Sequence, residues 1–150
     1  MATVVLASDH AGFELKEALK QDVVALGHDV LDAGTHDLSS VDYPDFGYRA
    51  AAAIRDGRAS LGVIVCGSGI GISIAANREP LVRAALCHDA TSARLCREHN
   101  DANVLALGAR LIGIETARDC VRAFLSTPFE GGRHQRRVDM LGRPAAFDEE

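Results

Sequence analysis

A cysteine stands directly before three alternating glycines in Cys66-Gly67-Ser68-Gly69-Ile70-Gly71. Glycines so spaced let backbone N–H groups converge. The apolar residues that follow start a helix, whose dipole favours an anion at that point. A thiol at the edge of such a turn should ionise more readily than a free cysteine, whose pKa is about 8.5. One short segment thus offers a candidate base, Cys66, and a candidate oxyanion hole. The bland alternative is a buried structural cysteine beside a tight turn; the glycines tip the balance toward chemistry. The spacing is not that of a dinucleotide fingerprint, because position 72 is Ile, and the segment lacks the Gly-Lys-Ser/Thr ending of a P-loop. A nucleotide cofactor therefore has no support.

Other reactive groups lie far away in sequence. His99-Asn100 ends a helical stretch, where a histidine serves either as a capping cation or as a proton donor near neutrality. Asp9 and His10 follow the first apolar run. Arg133 and Arg137 are four residues apart and share a face if helical. Two such guanidiniums suit a phosphate, which they grip bidentately, although most charge runs are solvated surface. Cys96-x-x-His99 has a spacing open to metal, but no second ligand pair follows, and no metal is expected.

These residues need elements to position them. Thr3 to Ser8, His28 to Asp32, Leu61 to Cys66, Arg83 to Cys87 and Val104 to Leu107 read as strands. Between them, Leu15 to Leu26, Asp45 to Asp56, the stretch from Gly71 through Ala76, and Thr91 to His99 read as helices. Glu115 to Ser126 and Gln135 to Leu141 follow as two more. Five alternations predict an α/β fold, a three-layer α/β/α sandwich around a five-stranded parallel, doubly wound, Rossmann-like sheet. The strand order should begin 2-1-3, with the places of strands 4 and 5 open. In such sheets ligands bind beyond the carboxyl ends of the strands. Asp9-His10, Cys66 to Gly71, His88-Asp89 and Gly108 to Arg110 fall there.

Composition narrows the function. The 150 residues carry 16 basic against 21 acidic side chains, a net charge of −5, which argues against nucleic acid or an anionic membrane as partner. Residues 59–77 form an uncharged run long enough to cross a bilayer by length alone. Four glycines, three serines and an asparagine within it point instead to a strand that breaks and turns. The first residues lack a basic leader region, and the four cysteines form no Cys-x-x-Cys pair, so a cytoplasmic protein with reduced thiols is expected. No linker or repeat divides the chain. A single domain spanning 1–150 is expected, with 144–150 as a tail.

Five separated segments resemble one family. Ser-Asp-His-Ala-Gly (8–12), Asp-Tyr-Pro (42–44), the run from Cys66 to Asn77, Arg-Glu-His-Asn-Asp-Ala-Asn (97–103) and Gly-Gly-Arg-His-Gln-Arg-Arg-Val (131–138) resemble the type B ribose-5-phosphate isomerases. The wider group includes allose- and galactose-6-phosphate isomerases. The resemblance implies an aldose–ketose isomerase of the pentose phosphate pathway that uses neither metal nor nucleotide. It implies Cys66 as the base between C2 and C1 through an enediolate. Gly67, Ser68, Gly69, Ile70 and Gly71 would form the oxyanion hole. His99 would be the acid that helps open the furanose ring, with Asp9 nearby. His10, Arg110, Arg133 and Arg137 match phosphate-binding positions, and Tyr43 and Asn100 match substrate contacts. It also implies a homodimer, or a dimer of dimers, with sites between subunits. Some relatives place a carboxylate base where this chain has Ile72, which leaves Cys66 the better base here. Others have Thr at Ser68, which keeps the hydroxyl. Another sugar phosphate (allose 6-phosphate, galactose 6-phosphate or a tetrose phosphate) is an alternative substrate. A non-catalytic phosphosugar- or nucleotide-binding module is an alternative of another class.

Overall fold

The computed structural model describes residues 1–144. The acidic end Asp148–Glu150, and the expected tail beyond Pro144, lie outside the described residues. Five strands, β1 (Thr3–Ser8), β2 (Asp29–Gly34), β3 (Leu61–Cys66), β4 (Ala84–Leu86) and β5 (Val104–Gly108), form one sheet. Every pairing in it is parallel. The helices are α1 (Phe13–Ala25), α2 (Tyr43–Arg55), α3 (Ile70–Ala76), α4 (Ala90–Asn100), α5 (Ile114–Ser126) and α6 (Arg133–Leu141).

The strand order is β2-β1-β3-β5-β4. It opens 2-1-3 as expected, and burial explains the rest. β5 is buried along its whole length and takes an interior position beside β3. β4 has three half-buried residues and takes the edge. The carboxamides of Asn77 and Asn103 pair with backbone at Ala84, Arg83 and Leu81, satisfying polar groups next to this short edge strand. Strands covered on both faces read as continuous apolar runs, which is why β3 carries no charge. α1, α4 and α5 bury one sheet face through Leu19, Val23, Cys96, Cys120 and Phe124. α2 and α3 bury the other through Phe46, Ala50, Ile72 and Ala76. Among the described residues no helix is long and apolar enough to cross a membrane.

Several boundaries differ from expectation by one or two residues. α2 begins at Tyr43, because Pro44 fits the first helical turn, where its missing N–H costs nothing. α6 begins at Arg133, so Arg133 and Arg137 do occupy one helix, four residues apart.

One consequence of the topology governs the site. Each crossover helix runs back against the strands. α4 leaves the carboxyl edge of the sheet after β4 and ends at Asn100, shortly before β5 starts at Val104, so its last turn lies at the amino edge. α6 joins it there: the Glu130 N–H donates to the Glu98 carbonyl at 3.2 Å, and the rings of His99 and His134 stack.

Candidate active site: two halves at opposite edges of the sheet

Beyond the carboxyl ends of β1, β3 and β5 lies an open cleft of about 600 Å³. It is lined by Asp9, His10, Tyr43, Cys66, Gly67, Ser68, Ile70, Gly71 and Arg110, with Ala11, Ile74 and Leu111. Sequence reasoning names nine of these twelve. The other three are Ala11, Ile74 and Leu111; the last two signal themselves only by exposed apolar character, and Ile74 sits one helical turn after Ile70.

Cys66 ends β3, nearly buried, and the Gly69 N–H donates to its Sγ at 3.2 Å. Gly69 adopts φ +77°, and a Cβ there would lie 2.9 Å from the Leu107 carbonyl oxygen. Only glycine makes that turn at that closeness. The Ser68 Oγ accepts the Ile70 N–H at 3.2 Å. Two of the turn's five N–H groups are thus engaged, while those of Gly67, Ser68 and Gly71 have no hydrogen bond among the described residues. They remain for an oxyanion.

The cleft walls are fixed by backbone contacts. Asp9 is buried, and its Oδ1 accepts the Gly12 N–H at 3.0 Å. His10 Nδ1 accepts the Val41 N–H at 3.1 Å, so the neutral ring keeps Nε2 as its donor. Arg110 lays its guanidinium against Gly67, with Nη1 3.1 Å from where a Cβ would stand. Among the described residues no salt bridge involves that guanidinium, so its fork is open to an anion. Tyr43 covers Gly71 so closely that a Cβ there would lie 2.2 Å from the ring.

The remaining expected residues lie elsewhere. His99 is half-buried at the end of α4, and its ring stacks on His134 with centroids 4.5 Å apart and planes 16° apart. Arg133 and Arg137 are exposed on α6, and Asn100 lines a separate cavity of about 430 Å³ with Asn77, Arg83 and Leu141. This second group shares no cleft with Cys66 in one chain. The two groups face opposite edges of the sheet, about one strand length apart, on the order of 15–20 Å.

The second group includes a donor set that the sequence spacing did not reveal. His99, Glu130 and His134 bring ligand atoms within 4.8 Å of one another. A metal bound by imidazole lies in the ring plane, along the nitrogen lone pair. Rings stacked nearly parallel do not aim two lone pairs at one point, so an ion would have to break the stack. Cys96, whose spacing to His99 was open to metal, does not form part of this set.

All four cysteines are reduced and buried. The hydrogen bond with the neighbouring Cys87 thiol, and then burial, push Cys96 far up, and burial pushes Cys120 up to about 11. Both sit inside the apolar core under α4 and α5, away from the cleft.

Comparison with known proteins places this geometry in a family. The chain is 43% identical over 141 residues to ribose-5-phosphate isomerase B of Escherichia coli K12, covering 94% of this chain and 95% of that one. It is 39% identical over 144 residues to D-erythrulose-4-phosphate isomerase of Pectobacterium atrosepticum, covering 95% and 94%. A solved ribose 5-phosphate isomerase from Thermotoga maritima superposes with a TM-score of 0.91 at 49% identity, covering 94% of this chain and 97% of that one. The type B enzyme of Trypanosoma brucei superposes with a TM-score of 0.91 at 42% identity, covering 93% and 96%. Residues 4–141 match the ribose/galactose isomerase family as a whole, and the chain belongs to that family.

Proposed function

We propose that the chain interconverts D-ribose 5-phosphate and D-ribulose 5-phosphate, in a site that two copies of it build together. The observation that carries the reading is Cys66 in a cleft with unpaired N–H groups on one side and the Arg110 fork on another. His99 of the second copy, with Asp9, moves the proton that opens the furanose ring. The Cys66 thiolate then takes the proton from C2 and returns it to C1, while the hydroxyl proton passes from O2, which becomes the ketone, to O1, which becomes the hydroxyl. The enediolate formed between these transfers places its charge toward the N–H groups of Gly67, Ser68 and Gly71. His10 and Arg110 hold the phosphate together with Arg133 and Arg137 of the second copy, which fixes C1 and C2 relative to the sulfur. Docking of that copy also excludes water from the open cleft.

Pairing is supported by the separation of the two groups within one chain. It is supported further by Ile70, Ile74 and Leu111, each at least half exposed on the cleft rim. Metal independence, a cytoplasmic setting and a single domain over the full sequence are part of the same reading. A tetrose phosphate is a second substrate reading, supported by the 39% identity to the D-erythrulose-4-phosphate isomerase.

Deuterium uptake from heavy water into C1 and C2 of the sugar phosphates tests the reading. An isomerase catalyses this uptake; a phosphosugar-binding module does not. Cys66→Ala should fold, still bind phosphosugar, and lose turnover by roughly three orders of magnitude or more. Near-native turnover by that variant would remove Cys66 as the base. A panel of tetrose, pentose and hexose phosphates ranked by kcat/KM decides the sugar, and a chelator should leave the rate unchanged.

A further inference from the structure

His134 has no role in the mechanism above, yet its ring is almost entirely buried among exposed arginines. Three contacts fix it. The ring stacks on His99 at 4.5 Å, its Nε2 lies 3.6 Å from Glu130 Oε2, and the residue's backbone N–H donates to the Gly131 carbonyl at 3.1 Å. Glu130 in turn ties to α4 through its N–H and the Glu98 carbonyl. The end of α4 is clamped independently, by Arg97 donating to the Thr127 and Ala102 carbonyls at 3.2 and 2.6 Å. His99 therefore projects from a rigid helix end, with one ring face backed by His134. Burial is the main reason that His134 disfavours its charged form, with the nearby His99, Arg133 and Arg137 acting in the same direction against Glu130. A neutral ring is the better platform for a histidine that must itself gain and lose a proton.

We infer that His134 is a positioning residue for His99: the stacked ring holds the His99 imidazole at the angle from which it moves the ring-opening proton. The inference rests on the role proposed for His99. Angular tolerance at a proton-transferring group is narrow, and a displacement of about 1 Å can cost on the order of 100-fold in rate. A flat, buried ring without a charge meets that demand, whereas a flexible polar side chain would not.

The test compares His134→Ala, His134→Phe, His99→Ala and the double variant His99→Ala/His134→Ala in the full-length protein, with kcat and KM for ribose 5-phosphate. His134→Ala should lower kcat by about 10- to 100-fold and move KM by less than about 3-fold. His134→Phe keeps a flat ring on His99 and should recover most of the kcat, which also separates positioning from folding. The double variant should be no slower than His99→Ala alone, because the two residues act as one unit. Native kcat in His134→Ala overturns the inference. So does a raised KM with unchanged kcat, which would make the ring a direct substrate contact, or a Phe variant as slow as Ala. Native kcat in His99→Ala would instead overturn the role of His99 itself, a separate failure.

Discussion

Mixing two inactive variants should restore activity. Cys66 closes β3 at the carboxyl edge of the sheet, and His99 ends α4 at the amino edge. The eleven residues of α4 alone span about 16 Å. A proton donor must come within about 3 Å of its target, so one chain cannot bring both groups to one sugar phosphate. In the proposed two-fold dimer each site would take Cys66 from one copy and His99 from the other. Cys66→Ala and His99→Ala homodimers each spoil both of their sites, and each should retain no more than about 1% of native turnover. In a mixed dimer the two lesions fall in the same site, and the other site is native. Random pairing from equal amounts makes half the dimers mixed, each with one intact site of two, which predicts about a quarter of native activity. Co-expression, or unfolding and refolding the variants together, supplies the exchange. Turnover of ribose 5-phosphate then reads the recovery, and native mass spectrometry counts the mixed dimers. Mixed dimers with no activity above that of the parents would refute the shared site, because they would show both lesions acting within each chain.

Two further outcomes follow from the packing. Gly71→Ala places a methyl group 2.2 Å from the Tyr43 ring and must drive that half-exposed ring out of the cleft. Stability should fall by only ~1 kcal/mol while kcat/KM falls about 10-fold; an unchanged kcat/KM would show that Tyr43 does not shape the site. Burial works against the charge of Asp32, but hydrogen bonds from Lys16, Lys20 and the Gly34 N–H outweigh it and hold the carboxyl down at about 2. A carboxyl whose folded pKa lies below its ordinary value stabilises the protein above that value and loses the benefit as pH falls toward the folded pKa. The stability gap between the native chain and Asp32→Asn should therefore be full above pH 3.8 and close by on the order of 2 kcal/mol as pH falls toward 2. Parallel pH–stability curves for the two proteins would contradict the pairing. Lys16, fully buried, pairs with both Asp32 at 2.8 Å and Glu17 at 3.0 Å, so Asp32→Asn leaves Glu17 as its remaining carboxylate.

The uncharged run from Ala59 to Asn77 shows how far the sequence alone reaches. Its apolar residues, its glycines and the placement of Cys66 before them determine a buried strand, a turn and a helix start, because burial on both faces and positive φ each demand particular residue types. Asp9, His10 and Arg110 could likewise be placed at strand ends by counting elements, since a parallel sheet puts all its carboxyl ends on one edge. The order of β4 and β5 could not be read, because it depends on which strand is buried more completely, a property of the assembled layers. The same holds for the stack of His134 on His99: 35 positions separate them, and no spacing rule links the end of one helix to the start of another. The tertiary structure alone decided that His99, Arg133 and Arg137 stand at the far edge from Cys66. Helix direction reverses after every strand, and that reversal splits between two edges the residues that a sequence motif lists together.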